Sequence, residues 1–169
     1  MNTDIALFRI FNSLAGQYAL TDKFIAILAD YGLYIFLALF LFYSWYQSSL
    51  VTAGKWRFVL KGLGIGLVSR FITEIIKVLV IRLRPFLDLE NVYLLTNASG
   101  FALPSGHSTI YFALAFYIWF ADRKWGSVFI LMATIFSLAR VVAGVHYPLD
   151  ILIGALIGFI ASYFYHKLT

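Results

Sequence analysis

Residues 31–54 read YGLYIFLALFLFYSWYQSSLVTAG, twenty-four positions without a charge. A bilayer hydrocarbon core of about 30 Å needs roughly 20 consecutive apolar residues in helical form. With the apolar stretch 24–29 before it, and Asp30 near its start, this run is long enough to cross. Nothing in a soluble domain requires so long an uncharged segment. The fold is therefore read with lipid as its solvent.

Working outward, further apolar runs cover 58–83, about 105–121, about 126–142 and about 148–165. The second is interrupted by Lys61, Arg70, Glu74, Lys77 and Arg82. Upstream, 3–14 has an apolar stripe of Leu7, Ile10, Phe11 and Leu14, with Asp4, Arg9 and Asn12 off it. That segment is too short and polar to span. It either lies in the membrane interface or packs as the first turn of the bundle. Asp4 and Arg9 break any signal-peptide core. The expected fold is all-α: a polytopic membrane bundle of about five transmembrane helices plus an N-terminal interfacial amphipathic helix. A single domain is expected over 1–169, with the motif-bearing core at 58–165.

The composition agrees. The 169 residues are 62% hydrophobic and 12% charged, with mean hydropathy +0.88. Soluble domains carry about 25% charged residues. The 17 Phe, 11 Tyr and 4 Trp suit a chain with two membrane interfaces. The net charge of +5 does not indicate nucleic acid, because most basic residues flank apolar runs. There is no cysteine, hence no disulfide framework or thiol chemistry. Lys55 and Arg57, Arg123 and Lys124, and Lys167 all fall on one side of the expected bundle. Positive charge favours the cytoplasm, so 84–104 and the turn around His146 face outside.

Charge within membrane spans is expensive and marks function by default. Lys77 and Arg84 are seven residues apart, so they share a helix face about 10 Å apart along the axis. Pro85 disfavours helix at Arg84 and puts it at the mouth of the span. Pro104-Ser105-Gly106-His107 opens the third run. Its first-turn amides point toward an anion, beside which His107 stands. Arg140, His146 and Asp150 bracket the turn between the last two runs. Asp150 is placed to fix the tautomer of His146, the arrangement of an activated nucleophile. All these residues share the outer side. Residue types alone do not decide between His146 and His107 as nucleophile, although adjacent Asp150 favours His146.

The series Lys77-x6-Arg84-Pro85, Pro104-Ser105-Gly106-His107 and Arg140-x5-His146-x3-Asp150 resembles the three signature motifs of the type 2 phosphatidic acid phosphatase family. They cover a little under half the chain. One position departs: Ala139 stands where the family's third motif usually has Ser. The resemblance implies that His146 attacks phosphorus to form a phosphohistidine, polarised by Asp150. It implies that His107 protonates the leaving oxygen. Lys77, Arg84, Arg140, Ser105 and the Gly106 amide hold the phosphoryl oxygens. No metal or other cofactor is implied.

Outside the motifs, Arg70, Glu74 and Lys77 form a ladder that shares the cost of burial. Glu74 alternatively positions Lys77. Asp30 either makes a polar contact within the bundle or meets a second phosphate. His166 belongs to a solvated tail. The expected substrate is a phosphorylated lipid, handled by a monomer in the plasma membrane with its site facing outward. The small size and outward site look most like the bacterial undecaprenyl-diphosphate phosphatase branch. Phosphatidylglycerophosphate or lipid A phosphatase, lipid phosphotransferase and non-catalytic lipid binder are the alternatives.

Overall fold

The computed structural model describes residues 3–46 and 52–168, and among these every regular element is helical. The helices are α1 (Thr3–Asn12), α2 (Ala19–Tyr46), α3 (Thr52–Val80), α4 (Pro85–Asp88), α5 (Gly106–Ala121), α6 (Arg123–Val142) and α7 (Pro148–Leu168). Part of the first expected span, 47–51, lies outside the described residues.

The ends follow from local chemistry. At Ile81 the backbone turns to φ 48°, a left-handed conformation that stops α3. Pro85 then opens α4 after extended Arg84. Asp122 caps α6 by accepting from Trp125 N at 3.1 Å. Gly144, at φ 84°, turns the chain out of α6, and Pro148 starts α7.

Among the described residues, three helices are long and apolar enough to cross a membrane: α2, α6 and α7. The other two expected spans differ in kind. α3 carries its interrupting charges, and the 16 residues of α5 reach only about 24 Å. α5 is the centre of the bundle, packed against α3, α6 and α7, with most of its residues buried. Its Tyr111 and the Phe136 of α6 surround Phe36 of α2 in an aromatic core. The outer faces are apolar and bare. Leu67, Phe71 and Leu79 of α3 and Leu152 of α7 are exposed, Leu79 to 76%. Large apolar side chains turned outward on successive turns require lipid around them.

α5 and α7 touch backbone to backbone. A Cβ on Gly158 would lie 2.6 Å from Ala113 N and 2.7 Å from Thr109 O, and one on Gly154 2.7 Å from Ser105 O. The two glycines are four residues apart, the small-xxx-small spacing by which membrane helices approach closely.

α1 does both things open to it in the sequence. Phe8 and Asn12 are buried against the ends of α6 and α7. Phe8 meets the Tyr147 ring edge-on at 5.4 Å. Asn12 Nδ2 donates to Tyr93 O (2.8 Å) and Val142 O (2.9 Å), and its Oδ1 accepts from Tyr93 N (3.0 Å). Leu7, Ile10 and Leu14 face outward, as an interfacial stripe requires. Phe11 belongs instead to the docked side.

Candidate active site

The three motif segments meet at one end of the bundle. α3 brings Lys77, the link after it Arg84, the first turn of α5 Gly106 and His107, the last turn of α6 Arg140, and the following turn His146. Together with residues 97–99 they line a polar cavity of about 270 Å³. Among the described residues no carboxylate lines it, whereas four cations do: Arg70, Lys77, Arg84 and Arg140. A larger groove of about 660 Å³ between α3 and α7 is apolar, and its lining has no histidine or carboxylate. It suits lipid chains, while the smaller cavity suits an anion.

His146 is 1% exposed. Its Nδ1 lies 3.3 Å from Asp150 Oδ2, which also accepts from Tyr147 N at 2.8 Å. With Nδ1–H donating to the carboxylate, Nε2 keeps its lone pair on the cavity side, 3.3 Å from Arg84 Nη1. Burial first, and then the charges of Arg140, Arg84 and Lys77, hold its pKa well below the usual histidine value. The ring is thus neutral at physiological pH, the form in which it can attack.

Arg84 mainly braces the cavity wall. Its Nε donates to Gly100 O (2.9 Å), Nη1 to Val145 O (2.9 Å) and Nη2 to Ser99 O (2.7 Å). Of five N–H donors, one or two are left for an anion. Burial and neighbouring Arg140 lower its pKa to about 10, so it stays charged at neutral pH. Arg140 differs. Its Nη1 donates to Ala29 O at 2.5 Å, but among the described residues its buried Nε has no hydrogen-bond partner. A buried donor in a cavity wall is costly unless an anion takes it.

Some expected residues stand back. Ser105 is fully buried at the N-cap of α5, where its hydroxyl accepts from Ser108 Oγ at 3.1 Å, and it is not in the cavity lining. Its side chain makes no cap hydrogen bond, leaving the amides of the first turn to other acceptors. Glu74 lies outside the lining, half-exposed, paired to Arg70 and to Lys77 Nζ (3.0 Å). Asp30 accepts from the Thr96 hydroxyl and also lies outside it. Ala139 is buried in the last turn of α6. His166 stacks on Phe120, 4.6 Å between ring centres, at the far end.

The charged cavity residue that the motifs do not reveal is Arg70, beside the uncharged residues 97–99. Its guanidinium lies over Gly106, where a Cβ would come within 2.8 Å of it. The signal was in the chain: 70 and 77 are spaced by seven within α3, so two cations share one face of it, and Arg84 joins them from the extended link beyond the helix end rather than from the same face.

A membrane helix bundle with a cation-lined cavity and a neutral, carboxylate-oriented histidine defines a membrane phosphatase. The sequence profile of the PAP2 superfamily matches residues 58–169, and the chain belongs to that superfamily. It is 30% identical over 162 residues to the bacitracin transport permease protein BcrC of Bacillus licheniformis, covering 95% of this chain and 78% of that one. It is 35% identical over 103 residues to the undecaprenyl-diphosphatase of Sulfolobus acidocaldarius, covering 57% of this chain and 50% of that one. The crystal structure of Aquifex aeolicus LpxE superposes with a TM-score of 0.78 at 26% identity, over 99% of this chain and 96% of that one. The protein is a membrane lipid phosphatase.

Proposed function

We propose that this phosphatase hydrolyses undecaprenyl diphosphate to undecaprenyl phosphate and inorganic phosphate through a phosphohistidine on His146. The observation that carries the reading is His146 itself: buried and neutral, Nδ1 on Asp150, Nε2 at a wall of cations. The undecaprenyl-diphosphatase of S. acidocaldarius, similar over half its length, supports the choice of lipid.

In the first step the Nε2 lone pair attacks the terminal phosphorus and forms an N–P bond. The P–O bond to the bridging oxygen breaks, and His107 gives that oxygen a proton. Asp150 stabilises the positive charge that develops on the imidazole. Lys77, Arg70 and Arg140, with the amides at the start of α5, stabilise the equatorial oxygens, where phosphoryl transfer concentrates charge. In the second step His107 takes a proton from water, whose oxygen attacks phosphorus and displaces neutral His146. An acid and a nucleophile on opposite elements suit hydrolysis better than transport, the activity in the name of the B. licheniformis relative.

The chain acts as a monomer of five spans in the plasma membrane, with the cavity opening outward. Lys55, Arg57, Arg123, Lys124 and Lys167 gather at the end opposite the cavity, which supports that orientation.

Purified protein in detergent with EDTA tests the reading. Phosphate release is compared from undecaprenyl diphosphate, phosphatidylglycerophosphate, phosphatidic acid and lipid A, with His146→Ala as the blank. Preference for the polyprenyl diphosphate, lost in the variant, is expected. Preference for another lipid overturns the substrate, and release by His146→Ala overturns the mechanism.

A further inference from the structure

Asp150 is 0% exposed. A carboxylate there stays ionised only with a cation and hydrogen bonds around it. One oxygen serves His146 and the Tyr147 amide. The other, Oδ1, accepts from Arg82 Nη1 at 2.8 Å. Arg82 belongs to none of the motif positions, and it does not line the cavity.

Two contacts fix the guanidinium besides Asp150. Nη2 donates to Asp4 Oδ2 of α1 at 2.5 Å. The guanidinium carbon sits 4.1 Å from the centre of the Tyr147 ring, whose hydroxyl donates to Asp88 Oδ2 at 2.7 Å. Asp4 is held in turn, its Oδ1 accepting from Leu149 N at 2.9 Å. One carboxylate of α1 thus clamps both the arginine behind the site and the first turn of α7, which carries Asp150.

The backbone before Arg82 points the same way. Ile81 is β-branched and has φ 48°, a strained conformation costing about 1–3 kcal/mol. Strain of this kind persists where surrounding contacts over-determine it. Here it ends α3 and turns Arg82 back toward α7, while Arg82 O accepts from Ala102 N at 2.8 Å.

We propose that Arg82 is a positioning residue for the Asp150 carboxylate, and that Asp4 of the N-terminal helix holds Arg82 in place. The inference rests on the roles given above to His146 and Asp150. Arg82 orients Asp150 so that Oδ2 stays on His146 Nδ1, and supplies the charge that keeps the carboxylate ionised. α1 is then part of the active centre although none of its atoms touches the cavity. The charged and titratable groups facing Asp150 are His146 and Tyr147 from the turn, Lys77 from α3, Arg82 and Arg84 from the link after it, and, behind Arg82, Asp4 from α1.

Phosphate release from undecaprenyl diphosphate is measured against pH and substrate for Arg82→Gln, Arg82→Lys, Asp4→Asn, Asp150→Asn and the double variant Arg82→Gln/Asp150→Asn. Arg82→Gln should lower kcat by roughly tenfold or more with KM within about twofold, since it removes an interaction made beside the nucleophile and not with the lipid. Losing the cation raises the proton affinity of Asp150, so the acid limb of kcat/KM should move to higher pH. Arg82→Lys should restore part of the rate. Asp4→Asn should shift the limb the same way by less. The double variant should be no slower than Asp150→Asn, because Arg82 acts through that carboxylate. A purely structural role would lower thermal stability and scale the profile without moving its limb. Wild-type kcat and limb in Arg82→Gln, or additive losses in the double variant, overturn the proposal. If Arg82→Gln does not fold, the limb of Asp4→Asn decides alone, and an unmoved limb counts against it. A His146→Ala variant that releases phosphate would mean that the mechanism itself has failed, separately from the role of Arg82.

Discussion

The α5–α7 contact offers a test in which packing and catalysis move together. In Gly158→Ala the new methyl would stand 2.6 Å from Ala113 N, 2.7 Å from Thr109 O and 3.0 Å from Phe112 C. These are main-chain atoms, so no side chain can swing aside. Ordinary contact needs about 3.5–4.0 Å, so α7 must move off α5 by roughly 1 Å. Overpacking of this kind costs about 1–3 kcal/mol. The displacement also reaches the site. Asp150 is eight residues along α7 from Gly158, about 12 Å away on one rigid helix. Gly106 and His107 ride on the first turn of α5. A 1 Å misplacement of reacting groups can cost about 10²-fold in rate. Thermal unfolding in detergent should therefore show a lower midpoint, and kcat should fall by one to two orders of magnitude. Gly64→Ala is the control. A Cβ there meets nothing within 4 Å, so it should be neutral, or stabilise the helix by about 0.4–1 kcal/mol. A Gly158→Ala protein as stable and active as the wild type, or two alanine variants that behave alike, would refute the claim that this contact sets the geometry.

Other expectations follow from single groups. The pKa of His146 in the folded chain is held well below 6.5, so the acid limb it contributes to kcat/KM should lie well below that pH; a limb at 6.5 or above that vanishes in no other variant would contradict this. The same depression means that the unfolded chain takes up its proton first. The stability it carries is complete above about pH 6.5 and declines below that, by at most about 1.4 kcal/mol per unit, until the folded histidine titrates. Asn12→Ala removes three hydrogen bonds at a residue 3% exposed and should lower stability by roughly 2–3 kcal/mol, read by thermal unfolding in detergent. Arg70→Gln takes one of four cations from the cavity and should lower kcat/KM for the lipid diphosphate by roughly tenfold or more, with an unchanged unfolding midpoint.

What was legible in the sequence was whatever lipid forbids without a reason. Lys77, Arg84, Arg140 and Asp150 stand out because charge in an apolar run has to be accounted for. The runs themselves marked the helices: the ends of α5, α6 and α7 fall within a few residues of the expected ones, whereas α2 (Ala19–Tyr46) starts and ends well before the corresponding ends of the run 31–54, and α3 begins at Thr52 rather than 58. What stayed hidden were partnerships across the fold. Asp4 and Arg82 are 78 residues apart, and no periodicity links them. Asp4 looked like the polar face of a surface helix, and Arg82 like one more interruption. Phe8 and Asn12 were passed over because the stripe beside them was a better amphipathic signal, and α1 turns out to have a docking side next to a bare side. Gly154 and Gly158 were readable as a packing motif by their spacing, as was the Arg70–Lys77 pair on one face of α3. Ser105 shows the opposite limit: its place at the start of α5 was evident, but only the packing of Ser108 turned its hydroxyl away from the cavity.

The grip of Arg84 on the cavity wall has an evolutionary corollary. Its three partners, Ser99 O, Gly100 O and Val145 O, are all main-chain oxygens, present whatever side chains those positions carry. The wall can therefore change its sequence while the arginine keeps its shape. Residues 97–99 face the cavity, and of them only the Ser99 main chain, not any side chain, takes part in that grip. Their side chains can change without loosening Arg84, so a change there would alter the cavity lining before it disturbs the brace. A brace bound only to main-chain oxygens, under a replaceable surface, would let one catalytic frame be handed from one phosphorylated lipid to the next.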